Sequence, residues 1–254
     1  MLGIIAAFKE EVEDYLRKGR FKMVDRVDSI SFYQSSSAPD VTVAAGGVGR
    51  ERAETATGLL IDRYPPDFIV SAGFAGGVRE GIGPGDLFLC DRLYSLEGPA
   101  TFWGPDSAGE RSIGDAAVID HLIKTAGEDD VNYELCGCLS VPDLASGSSM
   151  KGWIGDNFPV DIIDMESYWV SSAAAAAGIR HVVARTVLDP LEQTLPGFVG
   201  AAFDDSGRRR WVRAAGYVLR KPREAPTMLR LAKQSSVANA SLGGLLSKLA
   251  ATVQ

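Results

Sequence analysis

The sequence is poor in the residues that would make a chain disulfide-bonded, metal-bound or membrane-spanning. Its 254 residues hold three cysteines, Cys90, Cys136 and Cys138. That is too few for a disulfide framework and is the usage expected in a reducing, cytoplasmic compartment. The two histidines, His121 and His181, lie far apart with no cysteine at ligand spacing, so no metal site is expected. Cys136-Gly-Cys138 reads as two strand residues rather than a redox pair. No run of about 18 apolar residues occurs, so no segment is a candidate membrane span. The opening from Met1 to Phe8 lacks a basic leader and a cleavage site, and reads as a strand rather than a secretory signal. There is no internal repeat, and no low-complexity stretch beyond the alanines at 173–177. With 46% hydrophobic and 23% charged residues, the chain is neither disordered nor collagenous.

Charge is unevenly divided. The net charge is −7, yet residues 206–254 carry ten Lys/Arg against one acid, Glu224, and residues 1–205 carry sixteen against thirty-two. An acidic body discourages nucleic-acid binding. A basic tail suits either its own acidic body or an anionic surface. On one helix Trp211, Ala215, Val218 and Leu219 share an apolar side, and Arg209, Arg213 and Arg220 can reach lipid phosphates along it. A peripheral contact with the inner membrane face through 206–254 is therefore one expectation, and simple packing of this helix on the domain is the other.

Short apolar runs at 2–7, 41–45, 68–72, 87–90, 135–141, 162–163 and 181–187 read as strands. Helices are expected at 10–17, 50–63, 115–126, 167–177, 208–219 and 224–249, with a loop at 196–207. Ser148-Ser-Met-Lys151 meets the Ser-x-x-Lys spacing without its partner motifs and reads as a helix start. Strands alternating with helices predict one three-layer α/β domain over 1–254, with a mixed, largely parallel central sheet flanked by helices and a basic helical segment at 206–254.

Ligands gather at the carboxyl ends of strands in such sheets, and the chemistry-bearing residues cluster there. Glu11 follows the first strand. Gly46-Gly47-Val48-Gly49-Arg50 follows the second, and Gly73-Phe74-Ala75-Gly76-Gly77 reads as a turn after the third. Asp164-Met165-Glu166 lies between a strand and a helix, and Asp189-Pro190 ends the last strand. Each alone is weak, because glycine turns and Asp-Pro pairs commonly serve as plain turns. The glycines do not complete a Gly-x-Gly-x-x-Gly, so a dinucleotide site is not expected.

Taken in order, Gly3-Ile-Ile-Ala-Ala-Phe-Lys-Glu-Glu11-Val, Gly46-Gly-Val-Gly-Arg50, Ala72-Gly-Phe-Ala-Gly-Gly77, Gly85-Asp86, Asp164-Met-Glu166 and Arg185-Thr-Val-Leu-Asp189 resemble the methylthioadenosine/S-adenosylhomocysteine nucleosidases. The wider group is the purine nucleoside phosphorylase/nucleosidase superfamily, and the resemblance covers about residues 2–192. Ile163-Asp-Met-Glu-Ser167, Asp189-Pro-Leu-Glu-Gln-Thr-Leu-Pro196 and the arginine-rich tail look most like the hopanoid-associated phosphorylases, which implies adenine removal from adenosylhopane.

The resemblance implies cleavage of a ribose–purine N-glycosidic bond through an oxocarbenium-like transition state, with no metal or organic cofactor. It makes Asp189 the general acid toward the purine, a task that needs a raised pKa. It makes Glu11 the carboxylate that positions and deprotonates water, Glu166 the partner of the ribose hydroxyls, and Met165 an apolar floor under the sugar. Phe8 and Val48 match residues near the 5′ substituent, and Leu144 and Ala145 the base-contacting segment. It also implies a homodimer. Three departures bear on the nucleophile. Phe74 stands where relatives carry a hydroxyl, Leu188 stands where a serine usually supports the acid, and a Gly-Asp-Pro phosphate turn is absent. These favour water. Inorganic phosphate remains a candidate co-substrate, with Arg50 and Gly47 at a helix N-terminus as its binding candidates. A non-catalytic nucleoside- or lipid-binding module on the same fold is the alternative.

Overall fold

The computed structural model describes residues 1–98, 103–104, 108–112, 132–196 and 225–253. The strands are β1 (Leu2–Ala6), β2 (Lys22–Val27), β3 (Ile30–Ser35), β4 (Ala38–Ala45), β5 (Phe68–Gly77), β6 (Leu87–Ser95), β7 (Gly109–Ser112), β8 (Glu134–Ser140), β9 (Ile162–Asp164) and β10 (Arg180–Asp189). The helices are α1 (Glu13–Lys18), α2 (Arg50–Arg63), α3 (Ser148–Asn157), α4 (Ser167–Ala176) and α5 (Ala225–Val253). A 3₁₀ turn, Lys9–Val12, separates β1 from α1. The helices expected at 115–126 and 208–219, and nearly all of the loop at 196–207, lie outside the described residues.

All the strands join one mixed sheet, in the order β10-β6-β8-β9-β5-β1-β4-β3-β2, with β7 on β6. A further pairing of β10 with β5 curls one half of it into a closed ring. The centre is parallel: β1 pairs with β4 and β5, and β5 with β10, all in one direction. Their carboxyl ends therefore share one edge, where a site is expected in such sheets.

The period-2 alternation of β1 sends its side chains into two of the hydrophobic clusters. Leu2, Ile4 and Ala6 pack with Tyr15 and Leu16 of α1 and with Leu242, Leu245, Leu246 and Leu249 of α5. Ile5 faces the other way, onto Ala53, Ala56 and Leu60 of α2 and Trp169, Val170 and Ala174 of α4. The α5 leucines recur at helical spacing, and burying each contributes about 1.5–3 kcal/mol. Pro226 sits in the first turn of α5, where its missing N–H costs no hydrogen bond. At the other end of the docking face, Asn239 of α5 accepts from the Asp14 N–H at 2.6 Å and donates to the Glu10 carbonyl, tying this helix to the segment that carries Glu11.

Two expectations need correction, and one hairpin was not foreseen. Residues 73–77 are not a turn: β5 runs on to Gly77, paired with β10 and β9. The glycines leave the strand bare, and carboxylates occupy the space beside it. The helix expected at 10–17 is split, its first turn being 3₁₀ and α1 beginning only at Glu13. Strands β2 and β3 form a hairpin that hydrophobic patterning did not mark.

Candidate active site

Glu11 is placed by backbone. It lies in the 3₁₀ turn just after β1, and its Oε2 accepts the Phe8 N–H at 2.9 Å, the reciprocal bond of a capping box. Its Oε1 accepts the Phe74 N–H of β5 at 3.1 Å. A Cβ on Gly73 would lie 3.2 Å from that same oxygen, closer than a side chain usually comes. The glycine is thus what lets the carboxylate lie against the strand.

The Gly46–Gly49 connection serves a second carboxylate. Gly47 and Gly49 have φ of +98° and +88°, a region that L side chains avoid. The first residues of the connection prolong the β1 pairing, with the Gly47 N–H donating to the Ala7 carbonyl at 2.8 Å. Gly49 then presents its N–H to Glu166 Oε1 at 2.8 Å. Burial, the charge of Asp164 and the charge of Glu11 together push the Glu166 carboxyl up to about 8.

Asp164 is fully engaged. It accepts from Ser140 Oγ at 2.6 Å, from the Ser167 N–H at 3.1 Å, from the Ser167 hydroxyl, and from Arg185 Nε at 2.7 Å. Arg185, 2% exposed, also donates to Ser71 Oγ at 2.9 Å. Sequence reasoning missed Arg185 as a site residue, since it stands within a β-branched run like any strand position. Its partner is 21 residues away, so no local pattern marks the pair.

Glu11, Glu166, Arg185, Ser71, Gly47 and Gly73 line one small cavity between β1, β5 and α2. About 10 Å³ of it is open to the centre of a water molecule, which is what one water needs. Two carboxylates, a guanidinium and a hydroxyl belong to the residues that line it.

Asp189 ends β10 after a bulge. Val187 pairs with Ala75 and Asp189 with Gly76, leaving Leu188 as the extra residue. Such bulges re-aim a side chain, and here they bring Asp189 against Gly76, whose added Cβ would lie 3.5 Å from Oδ2. Asp189 is buried, and burial pushes its carboxyl up to about 6, against the lowering effect of Lys151. Lys151 Nζ donates to Asp189 Oδ2 at 2.7 Å and to the Pro190 carbonyl at 2.6 Å. Sequence reasoning took Lys151 only as part of a helix start; it does stand in the first turn of α3, and its side chain reaches the end of β10.

The other expected residues are arranged as follows. Met165 packs, half-buried, on a cluster that includes Ala145, Ile163 and Leu139. Leu144 and Ala145 precede α3 on the segment whose Ser146 carbonyl accepts the Leu195 N–H at 2.8 Å. Phe8, Val48 and Phe74 are half-buried around the Glu11 turn and the Gly46–Gly49 connection. Arg50 is not among the residues that line the cavity. Its guanidinium bonds Glu54 at 3.1 Å and Glu97 at 2.9 Å, and its Cζ lies 4.1 Å from the Trp169 ring centroid.

A family model described as the phosphorylase superfamily matches residues 1–221. The chain belongs to that superfamily. A 5′-methylthioadenosine/S-adenosylhomocysteine nucleosidase of Listeria welshimeri is 39% identical over 95 residues, 36% of this chain. The matched stretch spans 40% of that relative's length. A nucleosidase of the same name from Exiguobacterium is 25% identical over 201 residues, covering 76% of this chain and 86% of the relative. The superfamily fold is seen in the crystal structure of the Helicobacter pylori 5′-methylthioadenosine/S-adenosylhomocysteine nucleosidase, at 15% identity, with a TM-score of 0.72 over 98% of this chain and 96% of that one. The mixed sheet and its helices are thus the superfamily's architecture.

Proposed function

We propose that the chain hydrolyses the N-glycosidic bond of an adenine nucleoside, with Glu11 as the base toward water and Asp189 as the acid toward the purine. The observation that carries this reading is the placement of the two carboxylates on one strand. Glu11 lies against Gly73 and Asp189 against Gly76, both in the carboxyl-terminal part of β5, the edge where ligands gather in such sheets.

In the step proposed, Asp189 gives its proton to N7, and the C1′–N9 electron pair leaves with the base. Protonation by a positioned carboxyl contributes about 10²–10⁴-fold. A carboxyl raised to about 6 keeps its proton on a minority of molecules at neutral pH, where an ordinary aspartic acid keeps almost none. The water in the Glu11 cavity adds its oxygen to C1′ and passes a proton to Glu11. Arg185 and Ser71 orient that water. Glu166, with Oε1 held by the Gly49 N–H, offers its other oxygen to the ribose hydroxyls, and Met165 underlies the sugar.

Two observations favour water over phosphate. The cavity has space for one water, which is too little for a phosphate. Arg50, the phosphate candidate, is engaged by Glu54 and Glu97. The named relatives support a 5′-modified adenosine. We extend this to a bulky 5′ substituent such as that of adenosylhopane, on the resemblance of Ile163–Ser167 and of the basic tail, and carry with it a homodimer and a peripheral membrane contact of 206–254. No helix among the described residues is long and apolar enough to cross a membrane.

The test is adenine release from 5′-methylthioadenosine by purified protein, with and without phosphate. Release at equal rates supports the reading. No release from this or any adenine nucleoside, with tight nucleoside binding, makes the chain a binding module.

A further inference from the structure

The residue before Asp189 is Leu188, an apolar side chain that offers its carboxyl no hydrogen bond, and the side chain that does reach it is Lys151. Lys151 is fully buried, with 0% exposure, which is rare for lysine unless it is paired. It crosses from the first turn of α3 to the end of β10. There Nζ contacts Asp189 Oδ2 at 2.7 Å and the Pro190 carbonyl at 2.6 Å. A lysine enclosed this completely does not reach substrate itself, so what it does, it does through Asp189.

We propose that Lys151 is the positioning residue of the acid: its ammonium fixes Asp189 by Oδ2, leaves Oδ1 to face the purine, and stabilises the carboxylate formed when the proton is given up. This rests on the reading of Asp189 as the general acid. The step balances in charge and atoms. A neutral Asp189 beside Lys151⁺ gives one proton to N7, and an Asp189 carboxylate beside Lys151⁺ remains while the C1′–N9 bond breaks. The ion pair is strongest in the state the reaction creates, which is the kind of interaction that speeds a chemical step.

The surroundings leave this task to Lys151. β5 offers Gly76 to Asp189 and the following residue is Pro190. Among the described residues Lys151 is the charged group that acts on Asp189, lowering its pKa against the raising effect of burial. Glu11 lies against Gly73, and its charge acts on Glu166. Lys151 thus keeps a buried acid from binding its proton too tightly to release it.

The test follows the Asp189 carboxyl itself. Protein labelled at the aspartate carboxyl carbons is titrated by ¹³C NMR as wild type, Lys151→Gln, Lys151→Met and Lys151→Arg, with Asp189→Asn identifying the resonance. An opposite charge at this range moves a carboxyl by about one to three pH units. The Asp189 midpoint is expected to rise by that amount in Lys151→Gln and Lys151→Met, and to stay near wild type in Lys151→Arg. The alkaline limb of kcat/KM for 5′-methylthioadenosine should move up with it, while the acid-side plateau falls. Lys151→Gln keeps a donor for both oxygens, so it serves where Lys151→Met fails to fold. An unmoved midpoint in a folded Lys151→Gln overturns the proposal. Normal turnover by Asp189→Asn, with the midpoint still moving in Lys151→Gln, would instead overturn Asp189 as the acid.

Discussion

Arg185 and Asp164 form an ion pair sealed inside the sheet, Nε to Oδ2 at 2.7 Å with both side chains almost wholly buried. Through it the Asp164-Met165-Glu166 segment is tied to β10, and Arg185 is held at the wall of the water-sized cavity. Its remaining bonds run to Ser71 and to the Ala184 carbonyl.

Breaking that pair from one side should be costly. Asp164→Ala leaves a buried guanidinium uncompensated, which destabilises by about 3–5 kcal/mol. The double change Asp164→Leu with Arg185→Met should regain much of this, since apolar replacement of a buried pair is often tolerated. Urea denaturation of the two variants and wild type reads the difference. A fully stable Asp164→Ala would contradict the account.

Glu11→Gln should retain nucleoside binding and lose about 10²–10⁴-fold in turnover, the worth of a positioned base. The Phe8 and Phe74 N–H groups bond different oxygens of Glu11, so the amide keeps one of the two bonds and the variant should fold with a modest loss of stability. Adenine release and equilibrium binding, measured side by side, separate the two effects.

Stability should depend on pH through Glu166. Its folded-state carboxyl stands at about 8, raised from 4.5 by burial and by Asp164 and Glu11. The folded state therefore binds the extra proton, and stability falls as pH rises toward 8. Asp189, raised from 3.8 to about 6, acts in the same sense at lower pH, so the decline between pH 6 and 8 belongs to Glu166. Melting temperatures at pH 6 and pH 8 should drop for wild type and change much less for Glu166→Gln. Parallel drops in both proteins would remove Glu166 as the cause.

Gly73→Ala tests the placement of Glu11 more gently. The new Cβ would stand 3.2 Å from Oε1, so the carboxylate must shift by a few tenths of an ångström. Misplacement of a reacting group by 1 Å can cost about 10²-fold. The smaller shift here should lower kcat by up to about tenfold with little change in melting temperature. An unchanged kcat would mean that the position of Glu11 is not critical.

The sequence carried the parallel centre of the fold plainly. Leu2, Ile4 and Ala6 alternate on β1, and Arg50–Arg63 forms the helix that its alanine and leucine spacing predicts. The β2–β3 hairpin escaped because Lys22–Val27 is largely exposed, and its Asp25 and Arg26 mask any alternation. The glycines at 73–77 suggested a turn because glycine is common in turns, whereas here its missing side chain makes space for Glu11 and Asp189. Of the candidate site, the carboxylates were legible from motif order. Arg185 and Lys151 were not, because each acts through a partner that only the folded chain brings near. The bulge at Leu188 likewise depends on pairing with β5, not on any local residue preference.

The central claim is that water in the Glu11 cavity attacks C1′. Turnover of 5′-methylthioadenosine in H₂¹⁸O containing phosphate, followed by mass spectrometry of the sugar product, tests it most directly. The account predicts free 5-methylthioribose carrying one ¹⁸O at C1′, at a rate independent of phosphate. An unlabelled 5-methylthioribose 1-phosphate that forms only when phosphate is present would contradict it.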